Sequence, residues 1–143
     1  MSDVRRILVP TDGSEHARNA VQFVLDMAAH GAPLEIHLLN VQPAVRGVAA
    51  SLVSQSEIES YHREEGMKVL SEAAKQVEIG GLKPHLHVGV GQAADTVVAF
   101  ADKLGCSQIV MGTRGLGGMT GLLLGSVARD VAGQAKMPVT LLR

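Results

Sequence analysis

A chain of 143 residues with a formal net charge of −1 has room for one core and carries no electrostatic footprint for DNA, RNA or an anionic membrane. Aromatic residues make up only 2%, which withholds the rings on which single-stranded nucleic acid stacks and leaves the core to Val, Leu, Ile, Ala and Met. The first apolar run, Ile7-Leu8-Val9-Pro10, is too short for a signal peptide or a membrane span, and Cys106 has no second cysteine to pair with, so a cytoplasmic protein is expected.

Residues 6–11 predict a first strand. Ala17, Ala20, Val21, Val24, Leu25 and Ala28 then recur at three and four residues, the spacing of a helix with one apolar face, and Ser14 stands where its cap belongs. Residues 34–41 give a second strand, and a long connection over 42–54 leads to a polar-faced helix whose Met67, Leu70, Ala74 and Val77 form an apolar stripe. A third strand follows over 82–88, a third helix over 93–104, a fourth strand over 107–112, a fourth helix over 126–135 and a last strand over 138–142. Cys106, between Gly105 and the fourth strand, reads as a small buried thiol. Strict strand–helix alternation with short connections implies right-handed crossovers and a parallel sheet covered on both faces, a single doubly wound α/β domain over 1–143. In such sheets a ligand sits beyond the C-terminal ends of the strands, where the strand order reverses. The segments to watch are therefore 10–14, 41–43, 88–91 and the chain from Gly112 onward.

In that last segment Gly112, Gly115 and Gly125 stand at gaps of two and nine residues, and Ser126 follows at once. Six of the fourteen residues over 112–125 are glycine, which permits positive φ and lets backbone approach a phosphate closely. Ser126 is placed to cap the fourth helix, where its hydroxyl and the neighbouring N–H groups can donate to an oxygen anion. A glycine-rich strand-to-helix connection of this kind suits a phosphorylated ligand. The plainer alternative is a loop whose Met119, Leu122, Leu123 and Leu124 pack on the sheet. Asp12, followed by Gly13-Ser14, also has two readings: turn and cap chemistry, or a ligand contact at the end of a central strand.

Ile7-Leu8-Val9-Pro10-Thr11-Asp12-Gly13-Ser14, Leu38-Leu39-Asn40-Val41, and Ile109-Val110-Met111-Gly112-Thr113-Arg114-Gly115 through Gly125-Ser126-Val127 resemble the universal stress protein family across essentially the whole chain. The arrangement Gly-x-x-Gly, nine residues, Gly-Ser is similar to the signature of that family's ATP-binding branch and is complete here. The resemblance implies a five-stranded parallel sheet in the order 3-2-1-4-5, with Asp12 and Gly112 facing each other across the switch point. It implies that Pro10 and Thr11 line a base pocket, that the Val41 backbone reads the adenine edge, and that Asp12 meets the ribose or a magnesium ion. Gly115, Gly125, Ser126 and the Val127 N–H would hold phosphates of ATP, ADP or AMP, with Met111, Gly112 and Arg114 completing the set. The family also commonly forms dimers through the last strand. Val139–Leu142 would be a sheet edge with few charges to protect it, so a homodimer is expected.

Other patterns compete less well. Gly89-Val90-Gly91-Gln92-Ala93-Ala94 has the form of a dinucleotide fingerprint, but the acidic residue expected about twenty positions on is missing, and a tight turn into the third helix is the favoured reading. His85 and His87 share a strand face, and the family's strand order makes His37 a neighbour. A metal site there is disfavoured, because only Glu35 stands nearby as a further ligand and the geometry is not fixed by spacing. No Gly-Lys-Ser/Thr phosphate loop, Ser-Gly-Gly-x-Asp-Ser run or nucleophile elbow is present, so binding with slow or no hydrolysis is expected rather than fast turnover. Three classes stay open: a nucleotide-binding regulatory protein that changes its surface for an unidentified protein partner, which is favoured; a slow ATPase or self-phosphorylating enzyme using Ser126 or Thr113; and a nucleotide-independent, chaperone-like interaction module.

Overall fold

The computed structural model describes residues 4–115 and 124–143. The strands are β1 (Arg5–Pro10), β2 (Leu34–Gln42), β3 (His85–Val90), β4 (Gln108–Gly112) and β5 (Val139–Leu142). All four neighbouring pairs run parallel, in the order β3-β2-β1-β4-β5. The helices are α1 (Glu15–Ala29), a one-turn α2 (Val48–Ser51), α3 (Gln55–Ile79), α4 (Ala93–Leu104) and α5 (Ser126–Gln134). The doubly wound α/β architecture expected from the alternation is therefore the one observed. None of these helices is long and apolar enough to cross a membrane, among the described residues.

Side chains alternate across the sheet, so each strand feeds two cores. Ile7, Val9, Ile36, Leu38 and Val110 pack under α1 and α3, against Val21, Val24, Leu70 and Val77. Leu8, Leu39, Ile109 and Met111 pack under α4 and α5, against Val97, Ala101, Ala128 and Val131. The apolar run of β1 is explained by this two-sided burial: Ile7, Leu8 and Val9 are each 0% exposed. Each such side chain contributes about 1.5–3 kcal/mol of burial free energy before the entropy of ordering the chain is charged against it.

Helix boundaries follow local chemistry. Ser14 caps α1, its Oγ accepting from the Ala17 N–H at 3.2 Å. Ser54 and Glu57 form a reciprocal capping box at the start of α3. Gly105 ends α4 in the left-handed region at φ 67°.

The structure departs from the sequence reading in five places. The connection over 42–54 holds α2, a single turn with no buried residue to give it a periodic signal. The stripe of α3 is set by His62, Gly66, Leu70, Ala73, Ala74 and Val77, while Met67 is exposed. Gly66 occupies that stripe because α3 lies close on β3, where a Cβ would come within 2.6 Å of Val88 Cγ2. The third strand begins at His85 rather than at residue 82, because the exit of α3 consumes the intervening chain: Gly81 N–H donates to Glu78 O and Leu82 N–H to Val77 O. It also runs on to Val90, so Gly89 is a strand residue opposite Val41, kept small by Thr96 and Phe100 of α4.

The fifth departure concerns α5, whose N-cap is Gly125 and not Ser126. Ser126 is the first residue inside the helix, is exposed, and makes no capping bond.

Candidate functional site

From β1 the chain moves through α1 to β2 on one side, and the α4 crossover carries it from β3 to β4 on the other. The C-terminal ends of β1 and β4 therefore bound the crevice at which strand order reverses. Pro10 ends β1, half-buried, and Thr11 is buried with its N–H donating to Leu39 O at 2.8 Å. Asp12 then turns the chain: its Oδ1 accepts from the Ser14 N–H at 2.9 Å, and Gly13 supplies a φ of 85° that a side chain would strain. Turn chemistry and a place at the crevice are thus not alternatives for Asp12. The turn fixes one carboxylate oxygen, and the other, Oδ2, lies against Gly115, where a Cβ would overlap it.

On the opposite wall, Gly112 is required by α1, since a Cβ there would come within 2.5 Å of His16 Cβ. Thr113 N–H donates to Leu142 O at 2.7 Å, and Gly125 N–H donates to Thr113 O at 2.6 Å. That second bond closes the base of the glycine-rich loop and sets the first turn of α5 beside the end of β4. None of Gly112, Gly115 and Gly125 has positive φ; each is small because His16, Asp12 or the Thr113 carbonyl approaches it. Residues 116–123, which include Gly117, Gly118, Gly121 and the apolar Met119, Leu122 and Leu123, lie outside the described residues; Leu124 is half-buried.

α5 starts beside this crevice with Gly125 at its cap position, and among the described residues no side chain caps its leading N–H groups. Three buried side-chain atoms have no hydrogen-bond partner among the described residues: His16 Nδ1, Thr113 Oγ1 and Arg114 Nε. All three belong to residues flanking this crevice.

Val41 takes its place through the stagger of the strands. Pairing of β1 with β2 stops at Pro10 opposite Leu39, while β2 continues to Gln42. Backbone groups of alternate residues point to the same side, and Leu39 O points toward β1. The N–H and C=O of Val41 therefore face the same side beyond the end of β1, as a donor–acceptor pair overhanging the crevice. Met111, the residue before Gly112 in β4, has its side chain in the α4/α5 core at 6% exposure, so what it can offer the crevice is backbone. Val127 and Ser126 are exposed on the first turn of α5, and Arg114 is half-buried on the loop.

Two residues at this end gain importance from the structure. Asn40 is buried, donates from Nδ2 to Thr11 O at 2.9 Å and accepts from Gln42 Nε2 at 2.7 Å, tying the end of β1 to β2. A polar residue within the apolar run Leu38-Leu39-Asn40-Val41 was its signal in the sequence. His16 had none, because its approach to Gly112 exists only in three dimensions. Cys106 lies away from the crevice, and burial pushes its thiol up to about 11, so it offers no thiolate nucleophile near neutral pH.

The profile of the universal stress protein family matches residues 3–143. Universal stress protein MJ0531 of Methanocaldococcus jannaschii is 34% identical over 141 residues, which cover 97% of this chain and 82% of that protein. Among solved structures, the hypothetical protein MJ0577 superposes with a TM-score of 0.83 at 28% identity, covering 99% of this chain and 96% of that one. A universal stress protein in complex with cAMP superposes with a TM-score of 0.73 at 25% identity, covering 99% of each chain.

Replacing Asn40 by Ala leaves the buried Thr11 carbonyl unpaired. Urea denaturation of Asn40→Ala is expected to show a loss of about 1–3 kcal/mol, with an unchanged m-value.

Proposed function

The chain belongs to the universal stress protein family, and from that premise we propose that it is an ATP-binding regulatory protein of the family's nucleotide-binding branch, turning ATP over slowly or not at all. The observation that carries this reading is the convergence, at one crevice, of the α5 N-terminus, whose cap position is Gly125, the Asp12–Gly115 contact, and three buried polar atoms, His16 Nδ1, Thr113 Oγ1 and Arg114 Nε, that have no partner among the described residues. A solved relative in complex with cAMP supports an adenine nucleotide as the ligand class.

In this reading the α5 N–H groups, that of Val127 included, and the exposed Ser126 hydroxyl receive phosphate oxygens, with Arg114 as the nearby cation. Gly115 and Gly125 keep side chains out of the phosphate path. Asp12, held by Ser14 N–H, faces the ribose or a magnesium ion carried with the nucleotide. Val41 offers its overhanging N–H and C=O to the adenine edge, and Pro10 and Thr11 line the base side. Magnesium, when bound, supplies charge neutralisation to the phosphates. Arg114 is the cation that the described part of the loop offers, and the sequence lacks the Gly-Lys-Ser/Thr phosphate loop of fast nucleotide hydrolases, so this reading takes occupancy over turnover.

ATP with magnesium is expected to bind the nucleotide-free wild type, and a fit by calorimetry should show Asp12→Ala and Gly115→Val weaker by at least about tenfold, or 1.4 kcal/mol, with unchanged circular dichroism. A valine at 115 displaces the Asp12 carboxylate, so the two variants should fail together. No binding by wild type would leave the interaction-module reading. Steady phosphate release abolished by Asp12→Asn would favour the slow ATPase.

The same reading extends to assembly in the cytoplasm. β5 is the sheet's last strand, and its Pro138 and Leu142 carbonyls face β4, so by alternation the backbone groups of Val139 and Leu141 face outward. A second copy related by two-fold symmetry can pair with that edge. Light scattering at micromolar concentration is expected to give twice the 15.0 kDa chain mass, and a monomer would remove the dimer.

A further inference from the structure

At the opposite end of the sheet, β2 and its edge neighbour β3 bring four side chains together on the α4/α5 face. Register pairs His37 with His85 and Leu39 with His87, and alternation sets Glu35 with His37 on that face while Ile36, Leu38, Leu86 and Val88 turn to the other. The imidazoles stack, with His37 4.6 Å from His85 and 5.2 Å from His87 between ring centroids. One ligand atom each from Glu35, His37 and His85 lies within 4.8 Å of the others. His37 Nε2 is 3.2 Å from Glu35 Oε1, and His37 Nδ1 is 2.9 Å from His87 Nε2.

We propose that Glu35, His37 and His85 form a binding site for a divalent zinc ion, with His87 as the positioning residue behind His37. Two imidazoles and a carboxylate are a ligand set for zinc and leave a fourth position to water. With the ion on His37 Nε2, the proton of the neutral ring sits on Nδ1 and donates to His87 Nε2, the outer hydrogen bond that fixes the orientation of metal-bound histidines. Arg6 Nε lies 3.4 Å from Glu35 Oε1, leaving the second carboxylate oxygen for an ion. Access is open, because His85 is exposed and the Glu35 side chain is 37% exposed. A bound ion would bridge β2 to the edge strand β3, at the other end of the sheet from the crevice.

The test uses the full chain stripped of metal and titrated with zinc against a chromophoric chelator. Wild type should bind one equivalent; His85→Gln, at an exposed position, should lose at least about tenfold in affinity, and His87→Gln roughly 10–100-fold through His37. Zinc should raise the melting temperature of wild type and not that of His85→Gln. Gly115→Val should bind zinc as wild type does, so the outcome is separate from that of the nucleotide reading. Absence of a zinc complex in wild type, or equal affinity in wild type and His85→Gln, would overturn the proposal.

Discussion

The contact between the Asp12 carboxylate and Gly115 is the constraint on which the C-terminal crevice depends. It joins the exit of β1 to the glycine-rich loop, and it holds only if β1 and β4 lie side by side, as their pairing at Ile7–Gln108 and Leu8–Ile109 requires. That pairing in turn depends on a central strand apolar on both faces. The crevice is thus carried by the most deeply buried part of the molecule, and its reactive-looking groups are placed by turns whose hydrogen bonds are already made. Ser14 fixes Asp12, Asn40 fixes the Thr11 carbonyl, and the Thr113 carbonyl fixes Gly125. Such preorganisation lowers the entropy that a ligand must overcome on binding.

Much of this was legible in the sequence because it follows from periodicity. The helix over Ala17 to Leu25 and the apolar runs of β1, β2 and β4 have patterns that only one kind of element satisfies. The strand order was not a matter of periodicity and came from family resemblance. Two of the places where the sequence reading slipped were set by a tertiary neighbour: Val88 put Gly66 rather than Met67 into the α3 stripe, and the bond from Gly125 N–H to Thr113 O put the helix cap one residue early, whereas the late start of β3 is local, set by the exit of α3. At Gly112, Gly115 and Gly125 the backbone is not left-handed, and His16, Asp12 and a carbonyl crowd the space that a side chain would take.

The two ends of the sheet have contrasting chemistry. The C-terminal end sets the first turn of α5 and the Asp12 carboxylate at one crevice, the place where the proposed nucleotide would bind. The N-terminal end of β2 and β3 gathers Glu35, His37 and His85, the ligand set of the proposed zinc site. Spacing alone disfavoured a metal at the histidine cluster; the parallel register sets His37 opposite His85, the juxtaposition from which the zinc proposal is argued. Because strands separate the two ends, each can be altered without dismantling the other.

The most direct measurement of the central claim is an amide chemical-shift titration of isotope-labelled protein with ATP and magnesium. Shifts concentrated at Val41, Gly112, Gly115 and Val127, with His85 unmoved, are the predicted result. An absence of shifts, or shifts confined to the surface between α1 and α3, would contradict the account.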